Sequence, residues 1–137
     1  MKRKANATWN GRLKDGTGTF GVQSGAIKGQ SFGFRTRFEE EPGTNPEELI
    51  AAAHAGCFSM ALSAQLGERG ITPEAVETTC TITFEGGALT RSLLTTSVKA
   101  PGADRAKVEQ AATAAKEGCP ISKVLKLEID MELTIQV

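Results

Sequence analysis

The sequence has no net charge and few histidines and cysteines, the side chains that most often bind zinc. Sixteen Lys and Arg residues balance sixteen Asp and Glu residues, so no overall field favours nucleic acid or an acidic membrane surface as a partner. There is a single histidine, and the three cysteines form no CxxC motif. This composition argues against a structural zinc site and against a secreted disulfide framework. In a reducing cytoplasm, a disulfide between two of these cysteines would be transient and catalytic.

Targeting signals and linkers are also missing. The basic segment Met1 to Lys4 is not followed by an apolar run, so we expect no signal peptide. Residues 1–137 contain no repeat or low-complexity tract, and their number suits a single domain. No residue from Leu49 to Leu66 carries a formal charge, but most of them are Ala, Gly, Ser, Gln or His. That composition favours a buried helix of a cytoplasmic protein over a membrane span.

Local signals mark this long helix. Asn45 can cap it, Pro46 suits the first helical position, and Glu48 completes a capping-box pattern. The pattern predicts a helix from about Pro46 to Arg69, ended by Gly70. Because it is so apolar, we expect protein to enclose it on most sides.

The rest of the pattern is that of an α+β protein. Alternation predicts a small antiparallel meander in the first third, two later strands joined across Gly86–Gly87, and a final strand. Asp104 is expected to cap a helix that reaches about Glu117, and Cys119–Pro120 to open a short helix that ends near Leu125. The predicted strands cover about 5–13, 17–23, 31–38, 75–85, 89–99 and 127–137.

The three cysteines lie in different contexts. Cys57 is inside the long helix, where a free cysteine is usually buried and inert, and a reactive thiol is the alternative. Cys119 is near the N-cap of the short helix, where amide donors and the helix dipole favour a thiolate. A cysteine packed in a turn is the other interpretation there. Cys80 has the alternating neighbours of a strand residue, and we assign it no role.

Two arginines share one face of the third predicted strand. Alternation over 31–38 puts Arg35 and Arg37 on the side opposite the phenylalanines. Either both arginines are ordinary solvent-exposed side chains, or one of them directs its guanidinium at a thiolate. Lowering a thiol pKa from about 8.5 to about 6 takes roughly 3.4 kcal/mol. A cation about 4 Å away supplies on the order of 4 kcal/mol at an effective dielectric near 20, so one arginine can suffice.

Three segments resemble one protein family. They are Asn45 to Leu62, Thr36 to Glu39 and Gly118 to Leu125, and they are similar to the OsmC and organic hydroperoxide resistance (Ohr) superfamily. His54 and Ile121 resemble the OsmC branch, since the Ohr branch tends to have tyrosine at both positions. The similarity covers nearly the whole chain.

The resemblance implies an OsmC-like fold, with antiparallel sheets and a long buried central helix in an intertwined homodimer. It implies thiol-dependent reduction of organic hydroperoxides, and less efficiently of hydrogen peroxide, in oxidative or osmotic stress defence. Cys57 would be the peroxidatic cysteine, Cys119 the resolving cysteine, Arg37 the thiolate stabiliser and Glu47 the carboxylate that orients the arginine. An external dithiol would complete the cycle, with no metal, haem or flavin.

Helix geometry gives an expectation that does not depend on the family. Glu47 and Cys57 are ten residues apart on one predicted helix, which is about 15 Å along its axis and roughly 80° around it. They cannot share a site within one subunit. If Glu47 serves a cysteine, the sites lie at the subunit interface of a dimer.

Two other functions fit single features of the helix. His54 lies three residues before Cys57 on nearly the same face, as a Cys-His hydrolase would need. A nucleophile within a helix lacks the exposed turn and oxyanion donors of such an enzyme. Phe58 and Met60 could instead line the pocket of a module that binds a small apolar ligand.

Overall fold

Six strands and four helices follow one another in the computed structural model, which describes all 137 residues. The α+β class expected from the sequence is confirmed. The chain divides into two compact units, Met1–Leu49 and Ile50–Val137. In chain order the elements are β1 (Ala5–Asn10), β2 (Thr17–Val22), β3 (Gln30–Phe32), α1 (Phe34–Phe38), α2 (Pro46–Glu68), β4 (Ala75–Glu85), β5 (Ala88–Lys99), α3 (Arg105–Gly118), α4 (Pro120–Val124) and β6 (Glu128–Gln136).

The first unit contains the predicted antiparallel meander, in the order β1-β2-β3. Aromatic side chains pack across it. The ring of Phe32 stacks on Phe20 at a centroid distance of 3.7 Å and lies 5.6 Å from the ring of Trp9. A Cβ atom at Gly18 would lie 2.6 Å from Phe32 and 2.7 Å from Trp9. Only glycine lets the rings approach the backbone this closely.

The predicted third strand is wrong beyond Phe32. The strand ends there, and α1 begins at Phe34 after the extended residue Gly33. The hydroxyl of Thr36 accepts a hydrogen bond from the Gly33 amide at 2.9 Å and so closes the first turn. The alternating phenylalanines were ambiguous, because Phe34 and Phe38 also have the four-residue spacing of a helix face. Their ring centroids lie 4.9 Å apart.

This correction changes the relation between the two arginines. Arg35 and Arg37 lie two positions apart in a helix, so they point about 200° apart around its axis instead of sharing one face. They also bind different acids. Arg35 pairs with Glu39 and Glu41 at 3.2 and 3.7 Å.

The second unit contains a sheet in the order β4-β5-β6. The predicted turn between β4 and β5 is confirmed, and Gly86 and Gly87 have φ values of 57° and 80°. Two consecutive residues with positive φ suit a tight hairpin, and glycine adopts them without strain. The last strand, β6, pairs with β5 in parallel, so the antiparallel arrangement expected for the sheets fails at this pair. A parallel neighbour needs a crossover, and α3 and α4 provide it.

Helix boundaries follow the predicted caps closely. The Asn45 side chain accepts a hydrogen bond from the Glu48 amide at 2.8 Å. Asp104 accepts from the amides of Ala106 and Lys107 at 2.9 and 3.3 Å. Cys119 is the residue at which α3 ends and α4 begins.

The long helix α2 is buried along one stripe only. His54, Phe58, Leu62 and Leu66 recur every four residues and are fully buried. They join β5 and α3 in the core of the second unit. On another face Met60 is 78% exposed, so the expected enclosure on most sides is not met within one chain. The helix also has the length and composition of a membrane span, with a mean hydropathy of 1.4, a test that core helices of soluble proteins pass too.

Candidate active site

Two cysteines from distant parts of the second unit meet at one point. The Cys57 and Cys119 sulfurs lie 2.9 Å apart, and both residues are free thiols. Cys57 is in the middle of α2, and Cys119 is held at the junction of α3 and α4. A disulfide bond would be about 2.05 Å long, so this contact is a hydrogen bond between two reduced cysteines, with Cys119 as the donor.

The two thiols differ in access to solvent. Cys119 is fully buried, whereas Cys57 is only partly buried. A small reactant from solution therefore meets Cys57 first. Cys119 is placed to react with its neighbour rather than with a dissolved molecule.

The two thiols also differ in proton affinity. Burial raises the pKa of Cys57, and hydrogen bonding with Cys119 raises it further, while the Ile121 amide opposes both effects. At Cys119 burial again raises the pKa, but hydrogen bonding with Cys57, Ser122 and Ile121 outweighs it, so the pKa of Cys119 is lowered. A reactive Cys57 thiolate needs further positive charge nearby.

Arg37 and Glu47, to which the family resemblance assigned roles, form an ion pair in the first unit. Arg37 Nη2 and Nε lie 2.9 and 3.1 Å from Glu47 Oε1. The carboxylate is in the first turn of α2 and its side chain is only 12% exposed. The guanidinium carbon also lies 5.0 Å from the centroid of the Phe38 ring. Carboxylate and ring together hold the guanidinium in one orientation.

An apolar pocket of about 280 Å³ adjoins Arg37 in the first unit. It is carbon-rich, and Arg37 is its only charged lining residue. The pocket could take an apolar molecule that carries one polar group. It is lined by Trp9, Leu13, Phe32, Gly33, Phe34, Arg37 and Phe38.

The ligand pocket that the sequence suggested on α2 is wrong. Phe58 is fully buried in the core and Met60 is 78% exposed. Two residues apart on a helix, they point in nearly opposite directions and cannot line one cavity. Sequence reasoning missed the pocket at Arg37 because its aromatic residues come from β1, β3 and α1, whose packing is not visible in any local pattern.

His54 has partners that the sequence did not indicate. Its Nδ1 lies 2.7 Å from Ser92 Oγ and its Nε2 lies 2.7 Å from Ser122 Oγ. Burial lowers its pKa, so the ring is neutral. Both nitrogens are thus engaged by serines, which removes the geometric support for a Cys-His hydrolase. No sequence signal pointed to these serines, which lie 38 and 68 residues away along the chain.

Cys80 belongs to the same buried group. Its sulfur lies 3.1 Å from Ser92 Oγ and 3.9 Å from His54 Nδ1. Burial raises the pKa of Cys80, so it remains a protonated thiol near neutral pH. Cys80 does not join the Cys57–Cys119 contact.

Known proteins match the whole chain. A family model described as "OsmC-like protein" matches residues 38–134. "Peroxiredoxin OsmC" of Escherichia coli (strain K12) is 46% identical over 140 residues, which cover 99% of this chain and 98% of that protein. "Organic hydroperoxide resistance protein OhrB" of Bacillus subtilis (strain 168) is 32% identical over 102 residues, 72% of this chain and 74% of that protein.

The fold agrees with these matches. The crystal structure of Bacillus subtilis OhrB superimposes with a TM-score of 0.64 at 27% sequence identity, over 97% of this chain and 98% of that one. The resemblance read from the three sequence segments is thereby confirmed.

Proposed function

Because the chain belongs to the OsmC-like family, we propose that it is a cysteine-based peroxidase for organic hydroperoxides and, less efficiently, hydrogen peroxide. The observation that carries the proposal is the approach of two free thiols, Cys57 and Cys119, to 2.9 Å. Once one sulfur is oxidised, the other can form a disulfide with it. Three free cysteines suit a reducing compartment such as the cytoplasm. Oxidative or osmotic stress defence is the role that this activity would serve.

In the proposed cycle the Cys57 thiolate attacks an oxygen of the hydroperoxide. The O–O bond breaks, the alkoxide takes up a proton and leaves as the alcohol, and Cys57 becomes a sulfenic acid. Cys119 then attacks the sulfenic sulfur. The S–S bond forms and the S–O bond breaks, and hydroxide leaves as water after taking a proton. An external dithiol reduces the disulfide and returns both thiols.

Access supports Cys57 as the peroxidatic cysteine, although the proton preference in the isolated chain opposes it. Cys119 has no exposed surface, so a hydroperoxide cannot reach it first. The raised pKa of Cys57 is the property that a nearby cation would reverse.

Arg37 is the cation that we assign to this role, with Glu47 to orient it. The carboxylate accepts from two guanidinium nitrogens, which fixes the direction of the positive charge. A fixed guanidinium near the Cys57 sulfur would favour the thiolate and would also attract the polar end of a hydroperoxide.

The apolar pocket beside Arg37 supports an organic hydroperoxide as the substrate. Its aromatic walls would bury the carbon body, and the guanidinium would face the oxygens. Hydrogen peroxide has no carbon body and would gain nothing from these walls. The preference for organic substrates follows from this difference.

A homodimer with its sites at the subunit interface follows from the long helix. Glu47 and Cys57 lie on one unbroken helix, about 15 Å apart along its axis. Glu47 and the arginine it holds therefore suit a cysteine of a second copy. The exposed apolar face around Met60 is also expected to be covered in such a dimer.

A peroxidase assay tests the proposal. Purified protein should consume cumene hydroperoxide faster than hydrogen peroxide, with dithiothreitol or a lipoyl dithiol as the reductant. Turnover of esters without a reductant, and none of peroxide with one, would contradict it.

Substitution of one pocket residue tests the substrate assignment. Leu13 is 61% exposed, so Leu13→Ala should fold normally. It should lower kcat/KM for cumene hydroperoxide by about fivefold, through loss of roughly 1 kcal/mol of apolar contact. The rate with hydrogen peroxide should not change. Val137→Ala, another exposed apolar position outside the pocket, is the matched control.

A further inference from the structure

A chain of buried polar side chains lies beside the cysteine pair and has no part in the cycle described above. Cys80, Ser92, His54 and Ser122 are joined in that order by contacts of 3.1, 2.7 and 2.7 Å. His54 and Ser92 have no exposed surface, and Ser122 has 8%. Cys80 is partly buried. Burial of polar groups is costly unless each is satisfied, and here each has a partner.

The far end of this chain reaches Cys119. Ser122 is the third residue of α4, and Cys119 is its N-cap residue. In the first turn of a helix, side chains at the N-cap and third positions reach towards the backbone amide at the other position. The Ser122 hydroxyl and amide act together with Cys57 and the Ile121 amide to lower the pKa of Cys119 against the effect of burial. Ser122 thus contacts His54 and lies three residues from the proposed resolving cysteine, in the first turn of α4.

Counting donors and acceptors shows in which direction the hydrogen bonds of this series of side chains run. A neutral imidazole has one donor and one acceptor nitrogen. If the Ser122 hydroxyl donates to the Cys119 sulfur, its oxygen must accept from His54 Nε2–H. Nδ1 then accepts from the Ser92 hydroxyl, whose oxygen can accept the Cys80 thiol proton. Every donor in the series points towards Cys119, so the groups polarise one another in the same sense.

We propose that His54 is a positioning residue for the resolving step: it holds the Ser122 hydroxyl so that this hydroxyl donates to the Cys119 thiolate. The inference rests on the proposed peroxidase cycle and adds no chemical step to it. No proton leaves the chain of side chains. Cys119 attacks the sulfenic sulfur of Cys57, and hydroxide departs as water with a proton from solvent.

The effect on rate has a definite sign. Losing the hydroxyl donor makes Cys119 harder to ionise but more nucleophilic once ionised. With a Brønsted coefficient of about 0.4–0.5, the loss of thiolate outweighs the gain in nucleophilicity, and each tenfold loss of thiolate slows disulfide formation about three- to fourfold. At high pH both forms are ionised, and the slowing should vanish or reverse. A general loosening of the site would slow the step at every pH.

Rapid-mixing experiments separate the two steps. Purified protein is mixed with one equivalent of cumene hydroperoxide, and samples are quenched with a sulfenic-acid trap and an alkylating agent. In His54→Leu and Ser122→Ala, the sulfenic acid at Cys57 should still form, and its rate constant is measured separately from that of the second step. The disulfide should form about three- to tenfold more slowly near pH 6, and the deficit should disappear by pH 10. His54→Gln, which retains an amide donor near the Nε2 position, should restore much of the rate.

The control is a buried hydroxyl that has no link to the cysteines. Thr96 lies on the same strand as Ser92 and bonds Thr78 and the Glu77 carbonyl. Thr96→Val should leave both steps unchanged. Cys57 is the titratable group that faces Cys119, and Cys80 is the titratable group at the other end of the series. The pH series is therefore repeated in the Cys80→Ser background.

The wild-type protein provides a second test that does not depend on how the variants fold. His54 is the only histidine, so its ring gives a single set of signals in a long-range ¹H–¹⁵N spectrum. The Nε2–H tautomer is expected. The Nδ1–H tautomer would reverse the chain and overturn the proposal.

The kinetic outcomes distinguish this inference from the proposed function. If the wild-type protein forms no sulfenic acid at Cys57, the peroxidase cycle itself fails. Two other results would leave the cycle intact and show that His54 has no positioning role. In both, the wild type forms the sulfenic acid and the disulfide. The His54→Leu disulfide then either forms at the wild-type rate or is slowed equally at pH 6 and pH 10.

Discussion

At the residue scale, the chemistry depends on which of the two touching thiols ionises more readily. Within the chain, hydrogen bonds favour the anion on buried Cys119, and burial disfavours it on Cys57. The proposed peroxidase needs the opposite distribution before a hydroperoxide arrives. Arg37, oriented by Glu47, is the group assigned to reverse it.

Replacing Arg37 should therefore change the acidity of Cys57. Arg37→Ala is expected to raise the pKa of Cys57 by roughly two units, from the Coulomb energy of a cation at about 4 Å after solvent relaxation. Alkylation of the Cys57 peptide by iodoacetamide, followed by mass spectrometry across pH in a Cys119→Ser background, measures it without interference from the second thiol.

Arg35→Ala is the matched control. It is a better control than the sequence suggested, because Arg35 and Arg37 lie on different sides of α1. Arg35 is two positions away in the same short helix, its side chain is 65% exposed, and it pairs with Glu39 and Glu41. Its loss should change the pKa of Cys57 much less. Equal effects of the two substitutions would mean that a diffuse field, not a directed contact, acts on the thiol.

At the scale of single elements, α2 carries both the proposed peroxidatic cysteine and the buried histidine. The pKa of His54 is lowered by burial, so the unfolded chain takes up a proton at this residue more readily than the folded one. The contribution of His54 to the free energy of unfolding should be fully present above the unfolded-state pKa of about 6.5. It should be lost as the pH drops below that value.

Urea unfolding at pH 8 and at pH 5 measures this dependence. The neutral variant His54→Gln should lose less stability than the wild type between the two pH values, since position 54 no longer titrates. An equal loss in both proteins would show that His54 is not kept neutral by the fold.

The elements also show what a sequence pattern can and cannot predict. Caps at Asn45 and Asp104 and the turn at Gly86–Gly87 were predicted correctly because each depends on residues a few positions apart. The extension of the third strand to Phe38 was wrong because Phe34 and Phe38 satisfy the strand period and the helix period at once. The partners of His54 could not be predicted, since they come from β5 and α4 and only the packed core brings them to it.

The same reasoning applies to the site. Cys57, Cys119, Arg37 and Glu47 were chosen from the motifs, and the structure brings them together as two pairs. The sulfur contact depends on the packing of α2 against the junction of α3 and α4, which no local spacing determines.

At the scale of the whole molecule, the central question is which copy of the chain completes each site. The exposed apolar side of α2 and the separation of Glu47 from Cys57 along it both suit a second subunit. A mixed dimer tests this directly. One subunit carries Cys57→Ser, and the other carries Arg37→Ala and Glu47→Ala.

Both parent homodimers should be inactive. If Arg37 and Glu47 act across the interface, the purified mixed dimer has one complete site and should show about half of the wild-type activity. If they act within one chain, it has none and stays inactive. A partner with Glu47→Ala alone, run in parallel, tells whether the carboxylate by itself crosses the interface, and native mass spectrometry checks that mixed dimers have formed.

Removal of either cysteine should stop the proposed cycle at a different step. Cys57→Ser should abolish turnover. Cys119→Ser should permit one turnover, after which Cys57 has no neighbour to condense with and is oxidised further to the sulfinic acid.

The most direct measurement is the identity of the disulfide formed in the wild-type protein. After one equivalent of cumene hydroperoxide, denaturation and alkylation, peptide mapping should find Cys57 joined to Cys119 within one chain and Cys80 alkylated. A disulfide that contains Cys80, or three thiols that all remain free, would contradict the assignment of Cys57 and Cys119 as the reacting pair.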